Sequence, residues 1–170
     1  MSNGPRDRPI LFVDVDGVVS LFGWERDQTP PGSFHMVDGI VHLIGASCGA
    51  LLARLRDRFE LVWATGWEEK ANEYLVHLLE MESDLPTLTF DGRARFGTAH
   101  WKLEALEEYA RERPAAWIDD NIDDECRAWA EGRRAPTLLI ETETHVGITE
   151  EHVEALLTWA DELSFQAPSS

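Results

Sequence analysis

Four short apolar runs, Ile10–Val13, Leu61–Ala64, Ala115–Ile118 and Thr137–Ile140, are continuous rather than alternating. Continuous runs of strand length predict strands covered on both faces, as in a parallel sheet. Between the runs the apolar spacing becomes helical. Ala71, Tyr74, Leu75, Leu78 and Leu79 recur with helical period after the second run, and Val153, Leu156, Leu157, Ala160 and Leu163 do so after the fourth. Further helices are expected over Ser47–Arg58, about Thr98–Arg111 and about Ile122–Glu131. Strand followed by helix, repeatedly, predicts an α/β fold with right-handed crossovers.

One connection breaks the rhythm. Ser20–Ala46 is long for a link between a strand and its helix, and within it Phe34–Val37, then Asp38-Gly39, then Ile40–Leu43 predicts a hairpin on the preferred Asp-Gly turn. Pro30-Pro31-Gly32 ahead of it is a loop signal. No repeat or dividing linker interrupts the chain, so residues 1–170 are expected to form one domain with frayed ends at 1–9 and 166–170.

Composition narrows the class. With 170 residues, 44% hydrophobic and 28% charged, the chain suits one core, and disorder is excluded. Fifteen basic residues against 32 acidic ones give a net charge of −17, which opposes an extended nucleic-acid surface or an anionic membrane. Met1–Pro9 is polar, and the apolar run after it is cut by Asp14, which fits neither a signal peptide nor a membrane span. Cys48 and Cys126 stand far apart, without disulfide density or zinc spacing, and are read as small helix-packing residues. A cytoplasmic protein is expected.

Chemistry concentrates at the strand ends. Asp14-Val15-Asp16-Gly17 follows the first apolar run, where open α/β sheets place ligand crevices. Two carboxylates about 4 Å apart repel by roughly 4 kcal/mol at an effective dielectric of about 20, which calls for a cation or a shared proton. Mg²⁺ suits such oxygen ligands, whereas a calcium loop is excluded because Val19 stands where its sixth position requires glycine. Trp117-Ile118-Asp119-Asp120-Asn121 ends another strand in paired acids, with Asp123 and Asp124 close behind. One of these aspartates is expected to cap a helix. Thr65 closes the Leu61–Ala64 run, and Lys102 is one of only two lysines, Lys70 being the other.

The ordered set of Asp14, Asp16 and Gly17, then Thr65, then Lys102, then Asp119 and Asp120 resembles the haloacid-dehalogenase-like (HAD) superfamily of phosphohydrolases. Trp63-Ala64-Thr65-Gly66-Trp67 and Trp117-Ile118-Asp119-Asp120 resemble more narrowly the HAD domain of bacterial Swiss army knife RNA-repair proteins. The resemblance implies a three-layer Rossmann-like fold with a central parallel sheet, a flap or hairpin insert after the first strand and no large cap domain. It further implies an Mg²⁺-dependent phosphatase in which Asp14 forms an aspartyl-phosphate, Asp16 acts as acid and then base, and Thr65 and Lys102 hold phosphoryl oxygens. Asp14, the Asp16 carbonyl and Asp120 would hold the metal, with Asp119 beside them. Val18 stands where the family often has threonine.

Two rivals share parts of this pattern: a phospho-accepting receiver-like signalling module and a catalytically silent HAD-fold binding domain. In receivers the acidic pair comes first, and threonine and lysine follow the phosphorylated aspartate, an order this chain does not have. A dehalogenase is disfavoured by Asp16. The 20–46 insert leaves an open site, and the substrate is expected to be a nucleotide, a polynucleotide end or a small phosphorylated molecule. Gly66, Trp67 and Trp24 are candidate substrate contacts, the two tryptophans by stacking on a base. Arg93 and Arg95 could reach a second phosphate. None of His35, His42, His77, His100, His145 and His152 has metal-ligand spacing, and none is given a role.

Overall fold

The computed structural model describes residues 8–91 and 99–166. In chain order the elements are β1 (Ile10–Val13), β2 (Ser20–Leu21), β3 (Gly32–Val37), β4 (Ile40–Gly45), α1 (Cys48–Leu55), β5 (Glu60–Trp63) and α2 (Lys70–Leu78). A 3₁₀ turn at Ala99–Lys102 then leads into α3 (Leu103–Ala110), followed by β6 (Ala115–Asp119), α4 (Asp124–Gly132), β7 (Thr137–Glu141) and α5 (Glu150–Gln166).

The four apolar runs form one parallel sheet in the order β5-β1-β6-β7. Alternation along each strand divides its side chains between two cores. Leu11, Val13, Leu61, Trp63, Ala116 and Ile118 pack on one face with Leu51, Leu52 and Leu55 of α1, Leu75 of α2 and Val153 and Leu156 of α5. Ile10, Phe12, Val62, Ala115 and Trp117 pack on the other with Leu106 and Ala110 of α3 and Cys126 of α4. Each fully buried leucine contributes about 1.5–3 kcal/mol, which is why the runs carry no polar residue until the strands end. The three-layer Rossmann-like arrangement expected of the chain is present. β7, an edge strand, departs from the expectation of full cover: Thr137–Ile140 are only half-buried and Glu141 is exposed.

Three helices differ from their expected bounds. The first stops at Leu55, where successive turns from Leu55 to Phe59 reverse the chain into β5. The helix expected at Thr98–Arg111 opens as the 3₁₀ turn, its described part starting at Ala99. The one expected from Ile122 starts at Asp124, because Asp123 caps it by accepting from Cys126 N at 2.9 Å. Arg8 and Pro9, expected in a frayed end, are anchored: Arg8 donates to Arg56 O at 2.6 Å, and Pro9 O accepts from Glu60 N at 3.0 Å.

The insert is a three-stranded antiparallel sheet, β2-β4-β3, rather than a lone hairpin, with Asp38-Gly39 as its turn. The turn is tied to α2, where the Lys70 ammonium pairs with Asp38 and Tyr74 OH donates to Asp38 Oδ1 at 3.1 Å. The described residues include no separate cap domain and no helix long and apolar enough to cross a membrane.

Candidate active site

The chain runs from β1 to β5 on one side and then crosses to β6 on the other, so β1 and β6 flank the topological switch point. Open α/β sheets bind ligands in the crevice at the carboxyl ends of such strands. Val13 stands opposite Ile118, and Asp14 N donates to Ile118 O at 3.1 Å, which sets Asp14 beside Asp119. One carboxylate oxygen from each of Asp14, Asp119 and Asp120 lies within 4.8 Å of the others. The two strand-end acid pairs are thus brought together.

Lys102 enters the same cluster from the 3₁₀ turn, which Ala99 N anchors by donating to Asn121 O at 3.0 Å. Its side chain is 4% exposed, with Nζ 3.1 Å from Asp14 Oδ1 and 2.6 Å from Asp119 Oδ2. Burial pulls this ammonium down, but Asp14 and Asp119 outweigh it and hold the group above the ordinary lysine value. Burial pushes Asp14 well above the usual carboxylate range, with Lys102 pulling it back and Asp119 and Asp120 pushing it further up. Burial, then the neighbouring Asp119, pushes Asp120 up to about 6. Both Asp119 oxygens accept from fixed donors, Oδ2 from Lys102 and Oδ1 from Asn121 N at 3.0 Å. Asp119 is therefore the counter-ion of the lysine, and Asp120 is the second-pair carboxylate more available to a cation.

The approach of Asp120 to the first loop depends on Gly17. Its φ is +77°, and a Cβ there would fall 2.5 Å from Asp120 Cβ. Thr142, just beyond β7, joins the two loops: its hydroxyl donates to Gly17 O at 2.7 Å and its N–H to Asp119 O at 3.1 Å. Thr142 carried no expectation from the sequence, although a threonine just past the fourth apolar run repeats the Thr65 pattern.

Thr65 is buried at the end of β5, and its Oγ1 accepts from Trp67 N at 3.2 Å, which shapes the Thr65-Gly66-Trp67 turn. Gly66 is exposed on that turn. The Asp16 side chain is 50% exposed and lies outside the three-carboxylate group. Its Oδ2 accepts from Trp67 Nε1 at 3.0 Å, and its Oδ1 is 4.0 Å from His42 Nδ1. His42, left without a role by the sequence, is held by Ser20 Oγ at 2.8 Å and meets the Trp67 ring at 4.7 Å between centroids. Ser20, His42 and Asp16 do not form a nucleophilic relay, because serine and carboxylate face the same imidazole nitrogen.

Trp24 is not brought to this crevice. Its ring lies 6.4 Å from Phe34, which pairs with Leu43 and so faces away from the side of the sheet that carries His42. Arg93 and Arg95 lie outside the described residues.

A family model for the HAD domain in Swiss Army Knife RNA repair proteins matches residues 10–153. The chain belongs to that family. No curated protein matches it. The matched span of this HAD domain contains Asp14, Asp16, Thr65, Lys102, Asp119 and Asp120 together with the insert and β7.

Proposed function

We propose that this HAD domain is an Mg²⁺-dependent phosphatase that hydrolyses a phosphate monoester through an aspartyl-phosphate on Asp14. The observation that carries the reading is the charge of the crevice. Three carboxylates, once ionised, against one buried ammonium leave two negative charges, the amount a divalent cation balances. Asp14, Asp120 and the Asp16 carbonyl would hold Mg²⁺, which suits such oxygen ligands. When bound it supplies positive charge for the phosphoryl oxygens.

The residues divide the remaining work. An Asp14 oxygen bonds to phosphorus as the ester P–O bond breaks, and Asp16 gives its proton to the departing oxygen. Asp16, now a carboxylate, takes a proton from the water that attacks the Asp14 phosphoryl group, which releases phosphate and restores both residues. Lys102 and the Thr65 hydroxyl hold the non-bridging oxygens, while Asp119 keeps Lys102 in place. Gly66 and Trp67 border the approach to the crevice. The family description supports a nucleotide or RNA end as substrate, while the net charge of −17 opposes contact with a long strand and keeps a small phosphorylated molecule among the candidates. The buried, unbridged Cys48 and Cys126 agree with a cytoplasmic setting.

A panel of 3′- and 5′-phosphorylated oligonucleotides, mononucleotides and sugar phosphates, assayed with Mg²⁺ and with chelator, tests the proposal. Phosphate release that needs Mg²⁺ is expected. Equal release in chelator contradicts the metal assignment, and no release across the panel contradicts the phosphatase.

A further inference from the structure

Trp67, an aromatic residue at a crevice edge, suits a stacking platform, but its contacts commit it elsewhere. Its main-chain N–H is bonded to Thr65 Oγ1, and its ring meets His42, which Ser20 holds in turn. The indole N–H donates to Asp16 Oδ2 at 3.0 Å. An indole N–H can only donate, so Oδ2 is the acceptor whether the Asp16 carboxyl is charged or neutral. The carbonyl oxygen of a neutral carboxyl is the better acceptor, so this bond favours a proton on Oδ1. No hydrogen bond reaches Oδ1 from His42 Nδ1, 4.0 Å away.

We propose that Trp67 is a positioning residue for Asp16, buttressed by His42 and Ser20 of the insert, and that it selects Oδ1 as the oxygen that serves the leaving group. The inference rests on the phosphatase reading. As Asp14 bonds to phosphorus and the ester P–O bond breaks, the leaving oxygen takes the proton from Asp16 Oδ1, and Asp16 remains as a carboxylate with Oδ2 on the indole. Without Trp67, a half-exposed carboxyl rotates and offers either oxygen to water. The loss should scale with how much the leaving group needs its proton.

The test compares kcat/KM of the full chain with Mg²⁺ on an alkyl phosphate and on 4-nitrophenyl phosphate, since kcat/KM covers only the steps through departure of the leaving group. Trp67→Phe keeps a ring against His42 and removes the donor. It should lose about tenfold or more on the alkyl ester and about twofold or less on the aryl ester, as expected for one hydrogen bond to a carboxyl that becomes charged as its proton leaves. His42→Ala, which leaves the indole donor in place but unsupported, should move the same ratio in the same direction by a smaller factor. Equal losses on both esters, or an unchanged ratio in both variants, overturn the positioning role. A parent that turns over neither ester, or an Asp14→Asn variant that still turns over both, overturns the phosphatase reading itself, so the two failures are told apart.

Discussion

Replacing Lys102 with methionine removes the ammonium from the carboxylate cluster while filling most of its volume. Lys102 is 4% exposed and lies 3.1 Å from Asp14 Oδ1 and 2.6 Å from Asp119 Oδ2. Removing one partner of a buried ionic group costs about 3–5 kcal/mol, because the remaining charges keep their desolvation and lose their compensation. Against a total stability of about 5–15 kcal/mol the loss is large. Its pH dependence identifies the cause. Asp14 and Asp120 already hold protons more tightly in the folded chain than when unfolded, and loss of Lys102, which pulls Asp14 down, strengthens that preference at Asp14. Carboxyls raised in this way favour folding below their ordinary values near 4, and that advantage is lost as pH rises through the raised folded values. The gap between parent and variant should therefore be small at about pH 4 and clearly larger at about pH 7. Urea unfolding without divalent cations at the two pH values measures it. A gap of the same size at both would assign the loss to packing. A gap under about 1 kcal/mol at neutral pH would mean that no desolvated ionic cluster exists.

Further outcomes are expected elsewhere in the same frame. Metal-free protein should lose stability as pH rises from about 4 to about 6, the interval over which Asp120 is displaced, and Asp120→Asn should flatten that slope. The same variant should abolish the rise in Tm that Mg²⁺ gives the parent by mass action; an undiminished rise would place the ligand elsewhere. Gly17→Ala must hold a side chain at φ +77° and 2.5 Å from Asp120 Cβ, so it should cost about 2 kcal/mol or more and weaken the Mg²⁺ response, both read by thermal unfolding. Asn72→Ala strips partners from Trp63 Nε1 and from both the N–H and C=O of Leu85, at about 1–3 kcal/mol for each buried group left unpaired. The urea midpoint should fall with the slope unchanged, and phosphatase activity at temperatures where the variant is folded should match the parent.

The sheet and the acid cluster were legible because burial writes itself as uninterrupted apolar runs, and a polar residue at the end of such a run marks the carboxyl end of a strand. Asp14, Thr65 and Asp119 all follow that logic, and adjacent strands bring the first and last together. The role of Lys102 was legible only from the scarcity of lysine and its place in the motif order, because a helical lysine has the same local pattern whether it faces water or a carboxylate. What stayed hidden was cross-element contact. Alternation in β3 and β4 separates Phe34 from His35 and Val41 from His42, but nothing local says which face turns toward Asp16. His42 and Ser20 therefore carried no signal, and Trp24 was expected at a crevice from which its face is turned away. Thr142 carried its signal in the position after β7 and went unread. The half-burial of β7 was illegible for a related reason, since its apolar run reads the same as that of a fully covered strand.

Trapping the phosphoryl group shows whether Asp14 carries it. The Asp16→Asn variant keeps the nucleophile but lacks the base that frees it, so a phosphoryl-enzyme should accumulate on an activated aryl ester with Mg²⁺. Borohydride reduces an aspartyl-phosphate to homoserine, and peptide mass spectrometry then locates it. Homoserine is expected at position 14 in Asp16→Asn and is not expected in the Asp14→Asn counterpart. Homoserine at another aspartate, or turnover by Asp14→Asn at the parent's rate, would contradict it.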